Sequence, residues 1–161
     1  MKTRILKIFG VAAMATIGMV SCDTDPCKDV DCGVYGECIE GDCVCDDGYE
    51  GAACATVQRD KFIATYNVNE SCASGNFTYS ITVTTSSTGI SSIIITNFGD
   101  YTVNVTGTVN ANGTSITIPN QTVGGGTFSG SGQINGDILT ITYTVTAGTS
   151  TDTCTMTCTK Q

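Results

Sequence analysis

The chain of 161 residues has no histidine and no tryptophan. Without an imidazole there is no histidine general acid, general base or metal ligand, so that chemistry is excluded. A cysteine nucleophile would also lack its usual partner. Carboxylates are sparse in the longer half: from Lys61 onward the only acids are Glu70, Asp100, Asp137 and Asp152. No spacing among them marks a pair for glycoside cleavage. The expectation is a protein that is not an enzyme and uses no cofactor. Basic residues are few as well, seven Lys and Arg against 15 Asp and Glu, which argues against a nucleic-acid partner. A helical hydrophobic period is missing throughout. The Gly-rich run Gly124-Gly125-Gly126, followed by Phe128-Ser129-Gly130-Ser131-Gly132, has no lysine and no helical pattern after it, so it is no phosphate loop. It is expected to mark a bulge or a sharply curved strand.

Ten cysteines stand out against these absences. The first, Cys22, follows a segment with the parts of an export signal: Lys2, Arg4 and Lys7, an apolar run from Ile8 to Val20, and small residues before the cysteine. The run is shorter than the roughly 20 residues of a spanning helix. Met19-Val20-Ser21-Cys22 resembles a bacterial lipobox. That resemblance implies a signal peptide over 1–21, removed to leave Cys22 as an acylated first residue that holds the chain on a membrane. Removal of 1–21 takes three basic residues and no acidic one. Eleven of the 15 acids then lie between Asp23 and Asp60, a collar read first as a solvated surface.

Six cysteines fall within residues 27–54: Cys27, Cys32, Cys38, Cys43, Cys45 and Cys54. So short a segment cannot bury enough apolar surface to offset its chain entropy, and covalent staples are needed. Six cysteines allow 15 connectivities, and the sequence alone does not choose among them. Zinc is the alternative use of such spacings, but disulfide-dense modules belong to exported chains. The spacing, ending in Cys43-Val44-Cys45 and Gly48-Tyr49-Glu50-Gly51 before Cys54, resembles an epidermal growth factor-like (EGF-like) module. That resemblance implies Cys27 with Cys38, Cys32 with Cys43, and Cys45 with Cys54. From the residues themselves, Gly48 and Gly51 flank Tyr49 where a short hairpin must turn tightly, and its ring is expected to cover the last bridge. Calcium, which one subclass of these modules binds, is not expected. Pro26 stands where the pattern has Glu or Gln, and Ile39-Glu40-Gly41-Asp42 is too short for the remaining ligands. The order of parts resembles that of small lipoproteins of Bacteroidetes-type bacteria, with residues 22–26 as anchor and spacer and 55–60 as a linker.

From Lys61 to Gln161 the composition turns to Thr, Ile, Val, Ser, Gly and Asn in period-two alternation, which is strand chemistry. Runs begin at Phe62, Phe77, Ile90, Tyr101, Thr114, Gln121, Ile138 and Thr153. Turn signals between them include Ser74-Gly75-Asn76, Asn112-Gly113, Pro119-Asn120 and Asn135-Gly136. The fold class is mainly β: the stapled module, then an antiparallel meander of about eight strands as a barrel or sandwich over 61–161. In a meander whose first and last strands meet, Cys72 falls near Cys154, both on inward parity. Cys158 then remains as a buried thiol. Pairing Cys72 with Cys158 would need a register shift of four residues. Phe62, Tyr66, Phe77, Tyr79, Phe98, Tyr101, Phe128 and Tyr143 are candidates to fill the interior or to line a cavity. The sequons at Asn69, Asn76, Asn104, Asn112 and Asn120 follow from Asn- and Thr-rich composition. The functional expectation is an outer-membrane lipoprotein, periplasmic or surface-exposed, that binds a glycan or protein partner. A lipocalin-like carrier of an apolar ligand and a purely structural envelope protein are the alternatives.

Overall fold

The structure, a computed structural model, describes residues 25–161. The expected signal segment 1–21 and the anchor Cys22 lie outside the described residues. Two small hairpins come first: β1 (Gly36–Ile39) with β2 (Asp42–Cys45), and β3 (Tyr49–Glu50) with β4 (Thr56–Val57). The turn between β1 and β2 is Glu40-Gly41 with both φ positive, the geometry whose twist matches a two-residue hairpin. Three disulfides staple this part: Cys27–Cys38, Cys32–Cys43 and Cys45–Cys54. Tyr49 stacks on Tyr35 with centroids 4.0 Å apart. The last bridge packs on Gly36, where a Cβ would stand 2.5 Å from Cys54 Sγ.

Eight antiparallel strands then close into a barrel: β5 (Ala64–Cys72), β6 (Gly75–Thr85), β7 (Ser92–Thr96), β8 (Asn104–Val109), β9 (Ser115–Val123), β10 (Gly126–Asn135), β11 (Ile138–Ala147) and β12 (Ser150–Lys160). Each pairs with the next, and β12 pairs with β5 to complete the ring. Alternation decides the inside. Tyr66 and Val68 of β5, Leu139, Ile141, Tyr143 and Val145 of β11, and Cys154, Met156 and Cys158 of β12 point inward and join one buried cluster. Eight strands leave an interior about wide enough for side chains, and here side chains fill it. Apart from Ile138 at the start of β11, the outward positions of β10 to β12 and β5 are Thr, Ser, Asn and Gln with no charge.

Several boundaries differ from those expected. Pro119-Asn120, expected as a turn, lies within β9, where the register on β10 jumps between Phe128 and Gly130. Two residues of β9 oppose one of β10, a bulge that gives proline a place without a missing ladder bond and switches the strand's inward parity from Ile116 and Ile118 to Gln121 and Val123. The irregularity expected of the Gly-rich run thus falls at its Phe128–Gly130 part, while its start is the turn: Gly124 and Gly125 have φ of +58° and +83°, and β10 starts at Gly126. The bulge also thins the ladder between β8 and β9 to Thr108–Thr117 and Val109–Ile116. Gln121 replaces what is lost. Its amide oxygen accepts from Thr106 N at 2.8 Å and its nitrogen donates to Thr106 O at 2.8 Å, as a neighbouring peptide group would.

Residues 55–60, expected as a linker, are packed between the two parts. β4 pairs with β3, and a 3-10 turn over Gln58–Phe62 crosses one barrel mouth and buries Phe62 completely. Tyr66 donates its hydroxyl to Phe62 O at 2.9 Å. The Arg59 guanidinium donates to Ser86 O, Gly89 O and Ser92 O at 3.0, 2.7 and 3.1 Å, gathering the β6–β7 turn. Gln58 N donates to Gly48 O at 2.8 Å, and Lys61 pairs with Glu50 at 2.7 Å. The ion pair is about one-third exposed and contributes little by itself. The backbone and guanidinium bonds hold the stapled module on this mouth of the barrel.

Candidate functional site

The opposite mouth is formed by the turns after β5, β7, β9 and β11, and no other part of the described chain covers it. β5 delivers Glu70 there. Continuing the period of Tyr66 and Val68, its side chain points inward and is only 4% exposed. One carboxyl oxygen accepts the Tyr143 hydroxyl at 2.7 Å. The Tyr79 hydroxyl, buried beside the same carboxyl, closes no hydrogen bond of good geometry. Glu70 was not expected here; the barrel carboxylates read as sparse and unpaired. The signal was available in its parity, one more inward position after Tyr66 and Val68.

Above Glu70 sits the loop from Asn97 to Val103. Asn97, Asp100 and Thr102 all have φ between 55° and 60°, a concentration of left-handed backbone at non-glycine residues of the kind found at functional sites. Asn97 stabilises it. Its amide donates to Ser80 O at 2.9 Å, and its oxygen accepts Thr102 N at 3.2 Å. Gly99 is required twice over, by φ of +64° and because a Cβ would fall 2.6 Å from the Tyr143 hydroxyl and 2.8 Å from the Tyr101 ring. Phe98 turns down into the core, edge-on to Tyr143 and Phe128. Tyr101 turns up and is half exposed, its ring at 5.7 Å from Phe128. Phe77, expected inside, keeps the inward parity of Tyr79, Ile81 and Val83 but is likewise exposed, because β6 begins at this mouth and Phe77 stands at its rim. Of the eight candidate interior aromatics, five are fully buried: Phe62, Tyr66, Phe98, Phe128 and Tyr143.

Between these groups lies a recess of about 200 Å³, lined by Glu70, Cys72, Phe77, Gly99, Asp100 and Tyr101 among others. Across Tyr101 a shallower depression is bounded by Val145, Ala147 and Asp152. Asp152 is engaged: its oxygens accept Ala73 N at 3.0 Å and Ser74 N at 3.3 Å. The Ser74 side chain and these amides hold its carboxyl below the usual range. Cys72 and Cys154 are directly opposed across β5 and β12 and joined by a disulfide. With Glu70 they form a compact grouping of potential metal ligands, but the joined sulfurs leave no thiolate to bind. Cys158 is a buried thiol. Burial first, and then the Glu70 charge, push its pKa up to about 12, so it packs as a small apolar residue.

Burial pushes the Glu70 carboxyl above its ordinary range, against the opposing pull of the Tyr143 hydrogen bond. Burial, followed by the Glu70 carboxyl, also raises Tyr143, so that its hydroxyl remains a donor. The folded chain therefore holds the Glu70 proton more tightly than the unfolded chain does. Its contribution to stability is most favourable below the unfolded value of about 4.3. That contribution falls as pH rises through the folded value and is level above it. Asp152, with its lowered value, acts in the opposite sense: its stabilisation is present above the unfolded value and lost as pH falls through the folded one. Urea denaturation of the wild type and Glu70→Gln from pH 4 upward should show the variant gaining on the wild type as pH rises. A difference that stays constant across the range would refute the assignment.

Comparison of the chain with protein-family models, curated proteins and solved structures finds no match.

Proposed function

We propose that this protein is a bacterial envelope lipoprotein, held by acyl chains on Cys22, in which an EGF-like module supports the barrel and the barrel's free mouth binds a glycan or protein partner without catalysis. The observation that carries the binding reading is the recess over Glu70, rimmed by the exposed rings of Phe77 and Tyr101, at the mouth opposite the stapled module. Aromatic surface beside oriented polar groups is the composition of binding hot spots. The buried cluster that fills the barrel supports binding at its rim over carriage of an apolar ligand within it.

The binding reading is tested by probing glycan and protein arrays with the full-length protein in detergent. Tyr101→Ser is expected to abolish a specific signal. Val44→Ser, at a side chain exposed to a similar fraction on the stapled module, should leave it intact, and a partner lost only with Val44→Ser would overturn the assignment. Anchoring is tested separately. Cys22→Ala should move the protein from the membrane to the soluble fraction, and protease cleavage of an epitope after Gln161 on intact cells would place the barrel outside. Protection until lysis would place it in the periplasm and refute surface adhesion.

A further inference from the structure

The recess lacks a counter-charge. Among the described residues, the cations of the barrel and its entry segment are Arg59, Lys61 and Lys160, and all three sit at the stapled mouth. Arg59 is committed to the β6–β7 turn, Lys61 to Glu50, and Lys160 donates to Lys61 O at 2.7 Å. The free mouth carries Glu70, Asp100 and Asp152. Two of these have partners that account for them. Asp152 holds the Ala73 and Ser74 amides, and Asp100 accepts from Asn97 at 3.4 Å within its own loop. Glu70 differs. It is 96% removed from solvent, only one of its oxygens accepts a hydrogen bond from the chain, and it lines the recess. Beside it the Tyr79 hydroxyl is enclosed against the same carboxyl and closes no hydrogen bond of good geometry. A buried carboxylate with an open oxygen and no cation within reach is costly unless something supplies the charge. The same burial raises the proton affinity of Glu70.

We propose that the recess over Glu70 takes a primary ammonium group, seated against the free oxygen of the Glu70 carboxylate and the rings of Tyr101 and Phe77. This rests on the free mouth being the binding site, and names the chemistry recognised there. A carboxylate in a low-dielectric recess attracts a cation far more strongly than one in water, and exposed aromatic faces add cation–π attraction. A volume of about 200 Å³ fits a headgroup and not a whole ligand. A phosphate or sulfate would meet the carboxylates of Glu70 and Asp100 in the recess and no cation. A neutral hydroxyl would leave the carboxylate's charge unmatched. Two sources present this group, a lysine side chain and an amino sugar.

The test is an NMR titration of the full-length protein in detergent with Nα-acetyl-lysine methylamide and with glucosamine, each against its side-chain N-acetylated counterpart. The expected result is saturable shifts at Phe77, Gly99, Asp100 and Tyr101 with at least one amine. Its acetylated form should bind at least tenfold more weakly. Which amine binds more tightly identifies the source. Glu70→Gln should lose at least tenfold, and Tyr101→Ala threefold or more. Tyr101 is exposed, so its variant decides the matter even if the Glu70 variant fails to fold. Equal binding of amine and acetylated forms, or no shift with either amine, would overturn the proposal. If an array partner perturbs the recess while neither amine does, the ammonium assignment fails and the binding site stands. If the partner perturbs only the stapled module, the binding site fails.

Discussion

Replacing Cys72 and Cys154 together by alanine should lower the stability of the barrel by about 3–5 kcal/mol, the largest effect expected of any covalent change in the chain. The bridge joins residues 82 apart, and a loop of that length removes roughly 4.5 kcal/mol of unfolded-chain entropy on the chain-entropy account. It also lies at the one ring contact that joins the first strand to the last. For a domain near 100 residues, each kcal/mol corresponds to a fall in Tm of about 4–8 °C. The double variant is preferred to a reducing agent, which would also open the three bridges of the stapled module. Thermal and urea melts in oxidising buffer provide the measurement. A loss below about 1 kcal/mol would mean that the β5–β12 ladder specifies closure without the bridge.

Phe98→Ala should cost about 3–5 kcal/mol, the range for removing a fully enclosed aromatic. Phe98 has no exposure and lies 4.6 Å from Tyr143 and 5.8 Å from Phe128, edge-on to both. Its removal leaves a hole directly below the strained loop and behind the Tyr143–Glu70 hydrogen bond, so binding at the recess should weaken along with stability. Tyr101→Ala, three residues on and half exposed, should cost less than about 1 kcal/mol. Urea denaturation of the two variants makes the comparison. Similar losses for both would show that the loop is anchored by something other than Phe98.

Much of the barrel was legible because period two carries most of it. Residues alternating along β11 or β12 state their own direction, and the meander then places Cys72 opposite Cys154 by register. What escaped is what period two does not describe. Pro119-Asn120 breaks the alternation of β9, and a bulge and a turn leave the same mark on a sequence. The two are separated by Gln121, whose amide completes the ladder to Thr106, a contact with no local signature. Phe98 and Tyr101 look alike in composition, but a short 3-10 turn sends one inward and the other out. Residues 55–60 read as a linker because the turn carbonyls that Arg59 gathers are some 30 positions away in the chain. Glu70 was the site residue most open to recognition. Its inward parity was visible, but the two tyrosines that receive it come from β6 and β11, and only the closed ring brings them together.

The entry of the chain at one mouth and the recess at the other have a mechanical consequence. Tension between a partner seated over Glu70 and the stapled module would run along the strands and not across them. β5, the first strand loaded, is zipped to β6 over nine register positions and to β12 over seven. A lengthwise pull must shear those backbone bonds together, whereas a sideways pull would peel them one at a time. The cross-link from Cys72 to Cys154 sits at the far tip of that strand, so the sliding of β5 past β12 is blocked where the load would arrive. An end-to-end load on the barrel would thus meet β5 in shear and not in peeling.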